Sequence, residues 1–159
     1  MATTTYTEER ILPYTPKQLY DVVVDIAAYP SYLPWCVGSR ILEETEHEVT
    51  ADLIIGYKFI RERFRSKVFK QEPALITVDY IEGPLKNLSN RWRFIDNGDG
   101  TTTIDFYVAF EFKNPLLKQL VAVFFEEIIK RMVKAFETRA AKLYGEQKLV
   151  ENPAPETSV

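Results

Sequence analysis

Hydrophobic positions recur at every second residue from Val37 to Lys113 and then change to a helical period, and this switch sets the architecture. Val49, Ala51, Leu53 and Ile55 alternate with polar neighbours up to Gly56, which reads as a bulge or bend. In the next run Ile60, Glu62, Phe64, Ser66 and Val68 share one face, while Phe59, Arg61, Arg63, Arg65 and Lys67 share the other. Ile76, Val78 and Tyr80 alternate before the Gly83-Pro84 turn. Leu88, Asn90, Trp92 and Phe94 alternate before Asp96-Asn97-Gly98-Asp99-Gly100, a hairpin signal because Asn-Gly and Asp-Gly tolerate positive φ. Ile104, Phe106, Val108, Phe110 and Phe112 form the clearest strand, and residues 4–12 read as a first one.

Thr15-Pro16-Lys17-Gln18 starts a helix, with Thr15 as N-cap, Pro16 at the first helical position and Gln18 placed to complete a capping box. Leu19, Val22, Val23 and Ile26 give it an inward face. Pro30 and Pro34 are expected to end it and to stiffen the aromatic elbow Tyr29-Pro30-Ser31-Tyr32-Leu33-Pro34-Trp35. A second helix is predicted as one rod from the Asn114 N-cap and Pro115 to Gly145, about 45 Å long at about 1.5 Å per residue. Leu117, Val121, Phe124, Phe125, Ile128, Met132, Phe136 and Leu143 form its predicted buried stripe. Glu126 with Lys130 and Glu127 with Arg131 pair on the other side. Residues 146–159 hold two prolines and no apolar pattern, so the domain is expected to occupy 1–145 and the tail to be disordered. Strand runs with segregated helices mean an α+β fold: a curled antiparallel sheet wrapped around a long C-terminal helix.

Composition narrows the chemistry. Ten Phe and nine Tyr supply large apolar area with few rotatable bonds, suited to a thick core or an apolar pocket wall. A net charge of −3 argues against binding dominated by nucleic-acid phosphates, and no DNA partner is expected. The lone Cys36 forms no internal disulfide. The lone His47 stands in the acidic turn Glu43-Glu44-Thr45-Glu46-His47-Glu48, so neither a metal site nor a His-based catalytic set is expected. The first residues lack a signal or transit pattern, and no apolar run approaches the roughly 20 residues of a membrane span. The expected location is cytoplasmic, with peripheral contact on the cytoplasmic membrane as the alternative.

Four ordered blocks carry a family resemblance. They are Leu12-Pro13-Tyr14-Thr15-Pro16 with Gln18-Leu19, and Tyr29-Pro30 through Leu33-Pro34-Trp35-Cys36. Then come Gly83-Pro84-Leu85-Lys86 with Asn90-Arg91-Trp92-Arg93-Phe94, and Phe110-Glu111-Phe112-Lys113-Asn114-Pro115-Leu116-Leu117. Over residues 12–145 the chain resembles the coenzyme Q-binding START-domain family within the polyketide-cyclase-like helix-grip superfamily. The resemblance implies a START-like lipid-binding domain that binds ubiquinone and supports respiration without performing chemistry or using a cofactor. It also implies two rivals: a ribosome-associated, toxin-named regulator acting on the large ribosomal subunit, and a cyclase or aromatase. The lack of an extended presequence points to bacterial rather than mitochondrial members.

The inner faces give the leading ligand site: Phe64, Trp92, Phe94, Phe106, Val108 and Phe110 from the sheet, facing Phe124, Phe125 and Ile128 from the helix. A filled core explains the same residues; the curled sheets of the superfamily imply a cavity instead. Glu62 alternates onto this wall, where it either hydrogen-bonds a quinone oxygen when protonated, pairs with Arg91 or Arg93, or marks an exposed strand end. Arg61, Arg63, Arg65 and Lys67 form a basic stripe, either solvated and balanced by neighbouring acids or available to anionic lipid or ribosomal RNA. Tyr29, Pro30, Leu33, Pro34 and Trp35, with Leu116 and Leu120 opposite, are the expected pocket mouth, a place for peripheral membrane contact.

Overall fold

The computed structural model describes residues 3–57 and 59–145. The chain runs β1 (Thr4–Leu12), α1 (Pro16–Val24), a 3-10 turn (Ile26–Ser31), β2 (Cys36–Glu44), β3 (Glu48–Tyr57), β4 (Ile60–Gln71), β5 (Leu75–Glu82), β6 (Leu85–Asp96) and β7 (Thr102–Phe112). Two helices follow, α2 (Pro115–Ala122) and α3 (Phe125–Tyr144). All seven strands form one antiparallel sheet in the order β1-β7-β6-β5-β4-β3-β2. The meander brings β1 back beside the last strand. Irregularities at Cys36/Gly38 and Ile41/Glu43 in β2, at Arg65/Ser66 in β4 and at Leu85/Asn87 in β6 add local twist, which curls the sheet. The α+β helix-grip architecture expected from the sequence is present.

Thr15 caps α1 by the expected reciprocal box: its side chain accepts from the Gln18 N–H, and the Gln18 side chain accepts from the Thr15 N–H. Leu19, Tyr20, Val22 and Val23 are buried, and Tyr20 meets Phe94 edge-on at 6.2 Å. The helix ends at Val24, so Pro30 does not end it. Pro30 lies inside the 3-10 turn, where its fixed φ suits the tighter helix. Gly56 is no bulge either; β3 pairs with β4 in continuous register there. A side chain at Gly56 would meet Val37 at 3.3 Å, so the residue serves a close approach.

The predicted C-terminal rod is broken. Phe124 leaves the helical region at φ −113° and ψ 9°, and α3 restarts at Phe125. Val121, Val123, Phe124 and Phe125 are modest helix formers, so tertiary packing decides. Phe125 turns in onto Phe110 (5.0 Å) and Tyr6 (6.0 Å), while Val123 and Phe124 turn out. The break also resets the helix phase. The buried face of α3 is Ile129, Val133, Phe136 and Ala140, not the predicted stripe. Of that stripe Phe136 is fully buried, Leu117, Val121, Phe125, Ile128 and Met132 are half-buried, and Phe124 and Leu143 are exposed. Gly145 ends α3 where the sequence placed the stop, with a positive φ of 89° and an extended ψ of 147° rather than a left-handed helical conformation. The tail expected to be disordered lies outside the described residues.

Candidate ligand site

Under α3 the concave face is packed with rings. Trp92 meets Phe106 edge-on at 4.7 Å and Phe136 at 5.1 Å, and stacks on Phe94 at 6.4 Å. The Trp92 indole N–H donates to Asn90 Oδ1 (3.1 Å), and Asn90 donates in turn to the Tyr107 carbonyl (2.8 Å). Every polar atom of this pair therefore has a partner, as burial requires. The space left between Trp92, Phe106, Val133 and Phe136 is about 20 Å³, no more than one water needs. Phe94, Trp92 and Phe106 are thus core, and the filled-core alternative holds on this side.

A polar cluster that the alternation pattern did not reveal borders the same space. Tyr6, Glu8 and Arg10 sit on the concave face of β1, opposite Val108, Phe106 and Ile104. The Tyr6 hydroxyl donates to Glu8 (2.6 Å), and Arg10 donates to Glu8 (2.5 Å) and to Glu137 of α3. Burial pushes the Glu8 carboxyl up, but the bonds from Arg10 and Tyr6 and the Arg10 charge bring it below its ordinary value. Burial and the bond to Glu8 push the Tyr6 hydroxyl up to about 12.

At the other end of the sheet the packing opens. A hollow of about 340 Å³ lies between the end of β7 and the α2–α3 break, walled by Phe110, Phe112, Val121, Val123 and Phe125. Thr4, Lys118 and Glu126 are its polar edges. On the adjoining concave face Leu53, Phe64, Tyr80 and Leu88 are only half-buried, as is Ile128 on α3. Phe110 and Phe125 therefore border open space, Phe64 is half-buried against the core, Val108 is buried, and Phe124 is corrected from inner wall to exposed residue. Glu62 is half-buried opposite Ile55, and no ion pair joins it to Arg91 or Arg93 among the described residues.

The elbow is anchored rather than loose. Tyr29 donates to the Val23 carbonyl and meets Phe136 at 5.6 Å, and Leu33 is buried. Burial pushes the Tyr29 hydroxyl well above its ordinary range. Pro30 is exposed and Pro34 half-buried. Trp35 is half-buried edge-on to Tyr57 at 6.5 Å and adopts φ 66°, a conformation that a bulky residue rarely takes. A wide cleft of about 820 Å³ runs between Tyr32 and Pro34 of the elbow and Lys130, Lys134 and Arg139 of α3, outside the apolar interior.

The basic stripe is neutralised at Arg63, Arg65 and Lys67. Buried Asp52 accepts two bonds from Arg65 (2.8 and 3.1 Å) and one from Arg63 (3.4 Å), while Arg63 also reaches Glu82 and Lys67 reaches Glu48. The bonds from Arg65 hold the Asp52 carboxyl below its ordinary value. Such a group adds stability above its unfolded pKa, lost as the pH falls through its folded value. Asp52→Asn is expected to cost about 2 kcal/mol at neutral pH. In denaturant titrations the gap to the parent protein should close in acid, once the parent carboxylate protonates.

Comparison with known proteins places this geometry. A model described as polyketide cyclase / dehydrase and lipid transport matches residues 12–137. The chain belongs to that family. Among its relatives, the ribosome association toxin RatA of Rickettsia prowazekii is 36% identical over 138 residues, covering 84% of this chain and 94% of the relative. The coenzyme Q-binding protein COQ10 homolog B of Xenopus laevis is 36% identical over 148 residues, and the match spans 61% of that longer mitochondrial protein. An 18 kDa Caulobacter crescentus protein solved in solution superposes with a TM-score of 0.73 at 34% identity, covering 90% of this chain and 99% of that one. The Zhui aromatase/cyclase of Streptomyces sp. R1128 superposes with a TM-score of 0.79 at 13% identity over 89% and 95% of the two chains, a likeness of fold. Proteins of both branches that the sequence motifs resemble, quinone-binding and toxin-named, are thus relatives of this chain.

Proposed function

We propose that this chain binds an isoprenoid quinone of the ubiquinone type, without chemistry, for delivery to respiratory electron transport. The observation that carries the reading is the apolar hollow of about 340 Å³ walled by Phe110, Phe112, Val121 and Phe125. Its volume is at the lower end for small-molecule pockets, and its aromatic and aliphatic walls meet polar groups from Thr4, Lys118 and Glu126. A quinone ring fits such walls by stacking and desolvation, and its tail follows the half-buried row Phe64, Leu53 and Tyr80. The relative named for coenzyme Q binding supports the ligand class. The charged cluster beside the packed rings supports carriage over catalysis, because Glu8, Arg10 and Glu137 are committed to one another.

Organic extraction of purified protein followed by mass spectrometry should recover a quinone. A water-soluble short-tailed ubiquinone should quench tryptophan fluorescence on binding. Val121→Phe narrows the hollow from α2, away from Trp92 and Phe136 and without adding a tryptophan to the signal, and it should weaken that binding at least tenfold while the melting temperature stays close to the parent's. Equal binding by Val121→Phe, or no binding by the parent, would remove this reading.

A further inference from the structure

Among the described residues, the most exposed apolar side chains stand at one end of the molecule. Phe59 is 92% exposed, Val123 76% and Leu116 74%; the next, Ile11 at 53%, lies at the opposite end of β1. The topology explains the grouping. Phe59 is in the β3–β4 hairpin, and α2 leaves the end of β7. In an antiparallel meander these fall at the same edge as the β5–β6 turn, and the Lys113 N–H bonds the Pro84 carbonyl across it. Tyr57, Leu120 and Phe124 add further exposed apolar area at the same end.

We propose that this end docks on a lipid bilayer, with the Phe59 hairpin and the α2–α3 break both entering the interface. Three features favour a bilayer over a protein partner. The side chains project from separate tips, a hairpin, a short helix and a helix break, whereas a protein interface needs a continuous complementary patch. Uncommitted cations flank them: Arg61 and Lys113 are exposed and Lys118 half-buried, and none has a carboxylate partner within ion-pair distance among the described residues. Apolar tips with free cations beside them match the acyl boundary below anionic headgroups. The hollow proposed above opens beside the same tips, since Val123 and Lys118 border both. The docking surface rests on the ligand reading for its purpose, though not for its physics.

Sedimentation with vesicles tests it. The parent protein should pellet with phosphatidylcholine vesicles containing phosphatidylglycerol, more weakly with phosphatidylcholine alone, and less as salt rises. Phe59→Ser should reduce partitioning at least tenfold, and Phe59→Ser with Leu116→Ser should abolish it, with circular dichroism unchanged. Ile11→Ser, at the far end, should leave partitioning as it was. No pelleting by the parent, or pelleting indifferent to the Phe59 and Leu116 changes, overturns the proposal. So does light scattering that finds a dimer broken by these changes, which would make a second copy the occupant. Binding of the short-tailed quinone in solution separates the two readings. Phe59→Ser should keep it, and a parent that docks without binding quinone loses the ligand reading alone.

Discussion

Phe136→Ala is expected to destabilise the domain by about 3–5 kcal/mol, the range for removing a fully buried aromatic ring. Phe136 is 7% exposed and is the point where three parts of the fold meet. Its ring touches Trp92 of the sheet at 5.1 Å, Tyr29 at 5.6 Å and Tyr32 at 5.9 Å. Truncation leaves a cavity that none of these can fill. Tyr29 is tied to the Val23 carbonyl and Trp92 to Asn90, so neither ring is free to collapse inward. The elbow should loosen with the helix, because Tyr32 also carries Arg139 over its face at 5.0 Å. Guanidinium unfolding should show a lower midpoint with an unchanged slope. Phe124→Ala, also an aromatic of the same helical segment, should stay within about 0.5 kcal/mol because it is exposed. Comparable losses at the two positions would contradict the buried face assigned to α3.

That contrast marks where sequence reasoning stops. Strands were legible because a period of two survives wherever one face is buried: Ile104, Phe106, Val108 and Phe110 are all buried, with half-buried neighbours except Ala109. The start of α1 was legible because its cap is local chemistry. The break at Phe124 was not, since 3.6-residue spacing runs on through it and only contacts with Phe110 and Tyr6 from distant strands favour the turn. A phase error of one residue then put Ile128 and Met132 on the face that Ile129 and Val133 occupy, while Phe136 stayed on it. The choice between filled core and cavity was likewise tertiary; both occur, at opposite ends of one concave face. Asp52 was within reach, because alternation of Val49, Ala51 and Leu53 puts it beside the basic stripe. The Glu8–Arg10 pair was hidden because charged residues on an inner face read as solvent-facing until Glu137 arrives from α3.

Arg10→Met is expected to cost about 3 kcal/mol at neutral pH, chiefly because it strands two carboxylates rather than because it loses a favourable pair. Arg10 sits between Glu8 and Glu137, whose side chains are 16% and 17% exposed, while its own is 34% exposed. Its partial exposure keeps the loss below that of a fully enclosed pair. The pH dependence separates this cause from lost packing. In the parent, the Glu8 carboxyl lies below its ordinary value, so its contribution is complete above the unfolded pKa and disappears as pH falls through the folded one. Between neutral pH and about 5 the parent should therefore gain nothing from this group, since its unfolded pKa is about 4.3. Without Arg10, burial and the facing Glu137 carboxylate push Glu8 above its unfolded value. The variant's folded state then takes up a proton that the unfolded state does not, and its stability should rise on mild acidification. Adding Glu8→Gln and Glu137→Gln to Arg10→Met removes both stranded charges and should recover most of the loss with a flat pH profile. Denaturant titrations of the three proteins at several pH values measure this directly. An Arg10→Met variant whose deficit stays constant from neutral pH to 5 would assign the residue's role to its aliphatic stem, packed beside Leu12 and Ile104.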